Sequence, residues 1–199
     1  MNFLAHLHLA DPTPESRLGN LLGDFVRGLP DDDRFPPEIW EGIKLHRHVD
    51  AFTDSDPAWK RSRARLKRTK RRFAGIIIDV FYDHFLIRNW SRFEPEREMP
   101  DFVADCHAHL DEALHHAPLE AAEVIRRMQR EDWLISYSTL EGLDFALQRI
   151  SRRSAILSPV ANSVGELEEN FEAMEEDFLE FYPRAIQFAK KWKRINRVG

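Results

Sequence analysis

The sequence predicts an all-α fold, a single-domain helical bundle, and three observations carry that reading. Apolar residues recur at helical spacing, as in Leu18, Leu21, Leu22, Phe25 and Val26. Helix-start signals recur as well: proline opens several apolar-periodic runs, and Ser138-x-x-Glu141 and Ser163-x-x-Glu166 have the form of capping boxes. No stretch alternates apolar and polar residues as a half-buried strand does. The 199 residues suit one domain, spanning 1–199, large enough to bury a core.

Taken in order, residues 2–10 read as a helix with Asn2 as N-cap and Phe3, Leu4 and Leu7 on its apolar side. His6 and His8 stand about 200° apart there, so only one of them can face a given site. After the turn Asp11-Pro-Thr-Pro, a second helix runs to a stop at Gly28, with Asn20 and Asp24 beside its apolar face. A loop over Leu29–Pro37 leads to a third helix, opened by Pro36 or Pro37 and broken by Thr53-Asp-Ser-Asp-Pro57. A basic helix is expected from Pro57 to Phe73, packing through Trp59, Leu66 and Phe73 at seven-residue spacing. A strongly apolar helix around Asp79 follows, then a loop over Asn89–Pro100. Residues 101–117 form the next helix, N-capped by Asp101, with His107, His109, His115 and His116 mostly at the surface. Further helices start at Pro118, Ser138 and Ser163, and Pro183 is expected to kink or end the last long one.

Composition bounds the function. Hydrophobic residues make up 43% and charged residues 32%, ordinary for a soluble protein. A lone cysteine, Cys106, rules out an internal disulfide framework and fits a reducing, cytoplasmic setting. No apolar run approaches the roughly 20 residues that span a bilayer, and the first nine residues lack the basic start of a signal peptide. Charge is uneven. Nine Lys and Arg residues crowd positions 60–72 with no acid among them, and removing them from the net −5 leaves −14. A basic patch on an acidic body points to a specific acidic partner; Lys60, Arg61, Arg65, Arg68 and Arg72 are the candidates for contacting it. A nucleic-acid partner fits poorly, because the body is acidic and the basic helix lacks interleaved aromatic residues beyond its packing seam.

Two helices carry the chemistry. In one, the stripe Ile76, Val80, Asp83, Ile87 turns a carboxylate inward, with Asp79 one turn below. In the other, Ile39 and Ile43 continue through His46 to Asp50. Buried carboxylates cost roughly several kcal/mol unless donors, arginine or a cation compensate them. His6, Asp24, His46, Asp50, Asp79 and Asp83 are therefore the candidate metal ligands, with His8, Asn20 and His84 in support. This imidazole–carboxylate set suits Mn²⁺, Mg²⁺, Fe²⁺ or Zn²⁺, and its carboxylate share leans towards Mn²⁺ or Mg²⁺. Metals held this way activate water and neutralise phosphate. Asp24, His46, Arg47, Asp83 and His84 are the catalytic candidates, Arg47 or Arg27 reaching a phosphate oxygen. Neither a Gly-rich phosphate loop nor a Gly-x-Ser-x-Gly elbow is present.

Several blocks, Met1-Asn-Phe-Leu-Ala-His-Leu-His-Leu9, Gly19-Asn-Leu-Leu-Gly-Asp-Phe-Val-Arg-Gly28, Gly42-Ile-Lys-Leu-His-Arg-His-Val-Asp50 with Thr53-Asp54, and Asp79-Val-Phe-Tyr-Asp-His-Phe-Leu86, resemble the bacterial acyl carrier protein phosphodiesterases. Asp132-Trp-Leu and Ser151-Arg-Arg resemble later blocks of that family. The resemblance implies an Mn²⁺-preferring hydrolase that removes 4′-phosphopantetheine from the serine of holo acyl carrier protein. It also implies a distant, HD-domain-like kinship with helical phosphohydrolases. One feature departs from that kinship: no adjacent His-Asp pair occurs, only Asp83-His84 in reverse order and His46 and Asp50 one turn apart. An HD-like phosphohydrolase acting on a nucleotide or another small phosphate ester is the alternative reading of the same residues.

Overall fold

The structure, a computed structural model, describes residues 1–28 and 33–196; the start of the loop expected at Leu29–Pro37 lies outside them. The described residues form α-helices and short 3₁₀ turns and contain no strand, as the periodicity predicts. In chain order the helices are α1 (Phe3–Leu9), α2 (Pro14–Leu22), α3 (Pro37–Ser55), α4 (Pro57–Arg65), α5 (Ala74–Arg88) and α6 (Trp90–Phe93). They continue as α7 (Met99–Ala113), α8 (Leu119–Arg130), α9 (Trp133–Ser136), α10 (Leu140–Ser151), α11 (Val164–Glu169) and α12 (Phe171–Asn196). Among the described residues no helix is long and apolar enough to cross a membrane.

The core forms around α5, which is apolar on nearly every side and therefore buried on nearly every side. Ile77, Ile78, Val80, Phe81, Tyr82, Phe85 and Leu86 are all withdrawn from solvent. Helix α12 lays Met174, Phe178, Phe181, Tyr182, Ala185 and Ala189 into the same core and packs along α3 and α4. Pro183 does not end α12, which runs unbroken to Asn196. The proline removes one backbone donor, but Phe181, Tyr182 and Ala185 are buried on either side of it. The break falls instead at Asn170, between α11 and α12.

Helices α2 and α3 meet at backbone distance. A Cβ added at Gly19 would stand 2.3 Å from the Ile39 carbonyl oxygen, and one at Gly42 would stand 2.8 Å from the Gly19 Cα. No other residue type fits that crossing, and its closeness sets where the side chains on α3 emerge beside the end of α2.

The basic segment departs from expectation. It is not one helix: α4 stops at Arg65, and Leu66 takes an extended conformation with its side chain fully buried. The seam residues Trp59 and Leu66 do pack inward, with Phe73 partly buried against the core. Continuing the helix would compete with two sets of bonds. The Arg71 guanidinium donates to the carbonyls of Leu66 and Ala64 at 2.9 and 2.6 Å, and the Lys67 N–H donates to Glu166 at 2.9 Å. That last contact takes Glu166 away from the expected capping box, and the Ser163 hydroxyl forms no cap. Elsewhere the expected boundaries shift slightly. The N-cap of α10 is Thr139, α7 begins at Met99, and the short α6 occupies part of the expected loop.

Gly19→Ala should therefore cost about 2–3 kcal/mol, the range for overpacking a closed contact. Gly75→Ala, whose Cβ would meet nothing within 4 Å, should be neutral or gain up to about 1 kcal/mol. Urea midpoints of the two variants measure this, and equal midpoints would refute the backbone-contact account.

Candidate metal centre

The tight α2–α3 crossing brings His46 over the end of α2. Its ring lies so close to Gly23 that a Cβ there would come within 2.2 Å of it. The His46 Nδ1–H donates to the Asn20 carbonyl at 2.7 Å, which leaves Nε2 as the outward nitrogen. That nitrogen stands 3.1 Å from Asp50 Oδ2, one turn further along α3, and 3.4 Å from Asp24 Oδ1 just beyond α2.

The second imidazole arrives on α1, a helix of seven residues, too short to be stable alone. Asn2 is its N-cap residue by position, but its side chain makes no capping bond. Asp83, on α5, caps it instead: its two carboxylate oxygens accept the N–H groups of Leu4 and Ala5, each at 3.0 Å. So anchored, α1 turns His6 onto His46, the rings 3.8 Å apart and nearly parallel. His6 Nε2 lies 3.1 Å from Asp50 Oδ1. His6, His46 and Asp50 thus present ligand atoms all within 4.8 Å of one another, an arrangement able to hold a metal ion.

Electrostatics at this point favour a cation. Burial opposes the charged form of His46, yet the hydrogen-bonded carboxylates of Asp24 and Asp50 push its pKa up to about 9. Burial, with His46 beside it, pushes His6 down to about 4. Burial also works against the Asp50 carboxylate, but His46, His6 and the Met1 amino group together hold it well below the usual carboxylate range. That amino group lies 2.8 Å from Asp50 and 3.3 Å from Asp79. Burial pushes Asp79 up to about 6, Met1 pulling the other way and Asp50 adding repulsion. Asp50 between two imidazoles, with Asp24 beside His46, is a donor set able to take a divalent cation, whose charge would replace the proton on His46. His6 Nδ1 is buried with no partner among the described residues.

Of the other expected residues, some stand elsewhere. Asp83 is fully buried and both its oxygens are taken by α1, so it anchors a helix and is not among the converging ligand atoms. His84 points away from the cluster, its Nδ1–H donating to the Tyr137 carbonyl at 2.8 Å. Arg47 donates to the carbonyls of Gly28 and Val26 at 2.9 and 2.6 Å, pinning the segment after Asp24, while Arg27 is exposed. His8 faces the opposite way from His6, as the helical geometry requires, and accepts from the Tyr182 hydroxyl at 2.8 Å. In the basic segment, Arg61 and Arg65 are bound to Asp177 at 2.7 and 3.1 Å and hold α4 to α12. They are structural cations, whereas Lys60, Arg63, Arg68 and Arg72 stay at the surface.

The cluster opens into a cleft of about 220 Å³. Asp24, Asp50 and Asp79 line it beside the His6–His46 pair, and Phe3, Ile76, Trp133, Tyr137, Arg149, Arg153 and Leu157 are among its other walls. The arginines and Trp133 carry no site role in the sequence reading. A signal for Arg149 existed: it lies between Ala146 and Ile150 on the packed side of α10, where a cation is unexpected.

A family model described as acyl carrier protein phosphodiesterase matches residues 1–185. Curated relatives named acyl carrier protein phosphodiesterase include one from Yersinia pestis, 39% identical over 96% of this chain and 98% of the relative. Others come from Salmonella dublin, 38% identical over 96% and 99% of the two chains, and Escherichia coli O6:H1, 35% identical over 96% and 98%. No solved structure matches the chain.

Two variants separate the ligand from the anchor. Asp50→Ala should lower Mn²⁺ affinity by roughly 100-fold or more, beyond the loss typical of supporting residues, with little change in helix content. Asp83→Ala should leave two buried N–H groups unpaired and cost about 2–4 kcal/mol, read as a drop in urea midpoint of the metal-free protein. Calorimetric titration with MnCl₂ checks the first; unchanged affinity in Asp50→Ala would remove it from the centre.

Proposed function

We propose, since the chain belongs to the acyl carrier protein phosphodiesterase family, that it hydrolyses the phosphodiester joining 4′-phosphopantetheine to a serine of holo acyl carrier protein. The observation that carries this reading is the convergence of His6, His46 and Asp50 beside a cleft that Asp50 lines together with Arg149 and Arg153. Water adds to phosphorus as the bond to the serine oxygen breaks, and that oxygen takes up a proton. The products are apo carrier protein and free 4′-phosphopantetheine.

A divalent cation, Mn²⁺ by the donor set and the family resemblance, would be held by His6, His46 and Asp50 with Asp24 adjoining, and would supply Lewis acidity and an acidified water. The protein's own groups do the remaining work. Asn20 fixes the His46 ring through its carbonyl, so Nε2 is the nitrogen left to face a cation. Asp24, exposed and beside that nitrogen, is placed to accept a proton from water. Arg47 keeps the Asp24 segment seated. A nucleotide or other small phosphate ester as the natural substrate has no support among the relatives described above.

The acidic partner protein gives the surface cations Lys60, Arg68 and Arg72 a role. Arg71–Phe73 packs against the Ala155–Val160 segment, whose Leu157 lines the cleft, so Arg72 stands on that side of it. Surface charges of this kind steer association more than they change chemistry.

Incubating holo acyl carrier protein with the purified chain and Mn²⁺ should release 4′-phosphopantetheine, and EDTA should stop it. Intact holo protein after prolonged incubation with metal would overturn the reading. Reversing Arg68 and Arg72 to Glu should raise KM for the carrier protein most at low ionic strength, leaving turnover of a small phosphodiester unchanged. An equal loss on both substrates would assign those residues to the fold.

A further inference from the structure

We propose that Arg149 and Arg153 form the anion subsite of the cleft, binding the phosphate group of the phosphopantetheine arm. This rests on the hydrolytic reading above and adds the residues that hold the substrate's charge.

Arg149 is in an unusual condition for a half-buried cation. Its guanidinium carbon lies 3.4 Å from the centroid of the Trp133 ring, and one Nη donates to the Tyr137 hydroxyl at 3.3 Å. Its Nε is buried with no hydrogen-bond partner. No carboxylate pairs with it among the described residues. Glu131, the acid that influences it, spends its oxygens on Arg127 Nε at 2.8 Å and Trp133 Nε1 at 2.9 Å. Elsewhere Arg61 and Arg65 have Asp177, Arg88 has Glu175 and Arg184 has Asp56. Arg17, buried with no acid paired to it among the described residues, is met by His109 and the Phe102 ring away from the cleft, so Arg149 is the shielded, acid-free arginine that the cleft reaches. A guanidinium withdrawn from water without a counter-ion is costly, and an anion entering the cleft relieves that cost.

The group is also held in place. Asp132 adopts a left-handed conformation (φ 45°) at the start of α9, turning the chain into Trp133. The Trp133 ring is buried and tethered by its Nε1–H to Glu131, so the platform under Arg149 is fixed. A planar guanidinium so stacked offers the edge geometry that suits phosphate oxygens. Arg153, one turn on and exposed, lines the same cleft with no acidic partner among the described residues. The cleft therefore carries both carboxylates that attract a cation and arginines that attract an anion, and a phosphodiester within it answers to both.

The test uses the full chain in EDTA, with 4′-phosphopantetheine and, as the phosphate-free control, pantetheine, each titrated calorimetrically. Wild type should bind 4′-phosphopantetheine at least tenfold more tightly than pantetheine. Arg149→Gln should lose tenfold or more for 4′-phosphopantetheine and nothing for pantetheine, and Arg149→Lys should not restore it. Should Arg149→Gln fail to fold, the exposed Arg153→Gln decides, with a loss of threefold or more expected. No preference for the phosphorylated compound in wild type overturns the proposal, as does wild-type affinity in the folded variants. A chain that binds the phosphate through these arginines yet leaves holo acyl carrier protein intact would sink the hydrolytic reading and keep the subsite. Hydrolysis with phosphate affinity unchanged by the substitutions would do the reverse.

Discussion

The carboxyl of Asp83 is the contact on which the candidate metal centre depends most. It sits fully buried on the most apolar helix of the chain, and it is satisfied there by the first N–H groups of α1. Those donors belong to a helix that could not form unaided. Capping α1 from a distance fixes both its axis and its rotation, and rotation decides which of His6 and His8 turns toward α3. With His6 stacked on His46, a single carboxylate, Asp50, reaches both rings. A buried carboxyl, its pKa pushed up to about 7 by burial against the pull of the Leu4 and Ala5 N–H groups, thus serves as a positioning device, and the price is offset by donors that every helix start leaves unpaired.

The α2–α3 contact supplies the other half of the geometry. Two facing glycines let the helices approach until His46 lies against Gly23 and its Nδ1 reaches a backbone carbonyl. Imidazole orientation is thereby set by main-chain atoms, which shift less than side chains would. The basic segment shows a parallel logic with opposite sign. Asp177 is buried and gathers Arg61, Arg65 and the Ser62 hydroxyl, so part of the positive charge there serves to hold α4 onto α12.

How much of this is legible in the sequence follows from what each signal encodes. Periodicity shows which way a residue faces: it turns His46 inward and separates His6 from His8, while Asp50, expected inward on the same stripe, stands half-exposed at the cleft. It cannot show what a buried group meets. Asp83 faces inward as the stripe requires, but its partners lie 79 and 78 residues away, so a capping carboxylate and a metal ligand look alike. The cations of residues 60–72 read as free because their acids, Asp177, Glu166 and Glu180, come a hundred residues later. The continuous basic helix failed for the same reason, since Leu66 and Arg71 follow tertiary partners over local propensity. Arg149 drew no notice because a single cation on a packed face resembles a stem that reaches solvent; only the stacked ring and the absent acid set it apart.

The anchoring of α1 has a consequence for biogenesis. Residues 3–9 are made well before their partners: the residue that caps them is Asp83, and His8 and Leu9 await Tyr182 and Lys193. The opening segment must therefore remain uncommitted through most of synthesis and dock only after the final long helix has been made. A copy that stops between Asp50 and Asp83 carries His6, His46 and Asp50 yet lacks the carboxyl that seats α1 against α3.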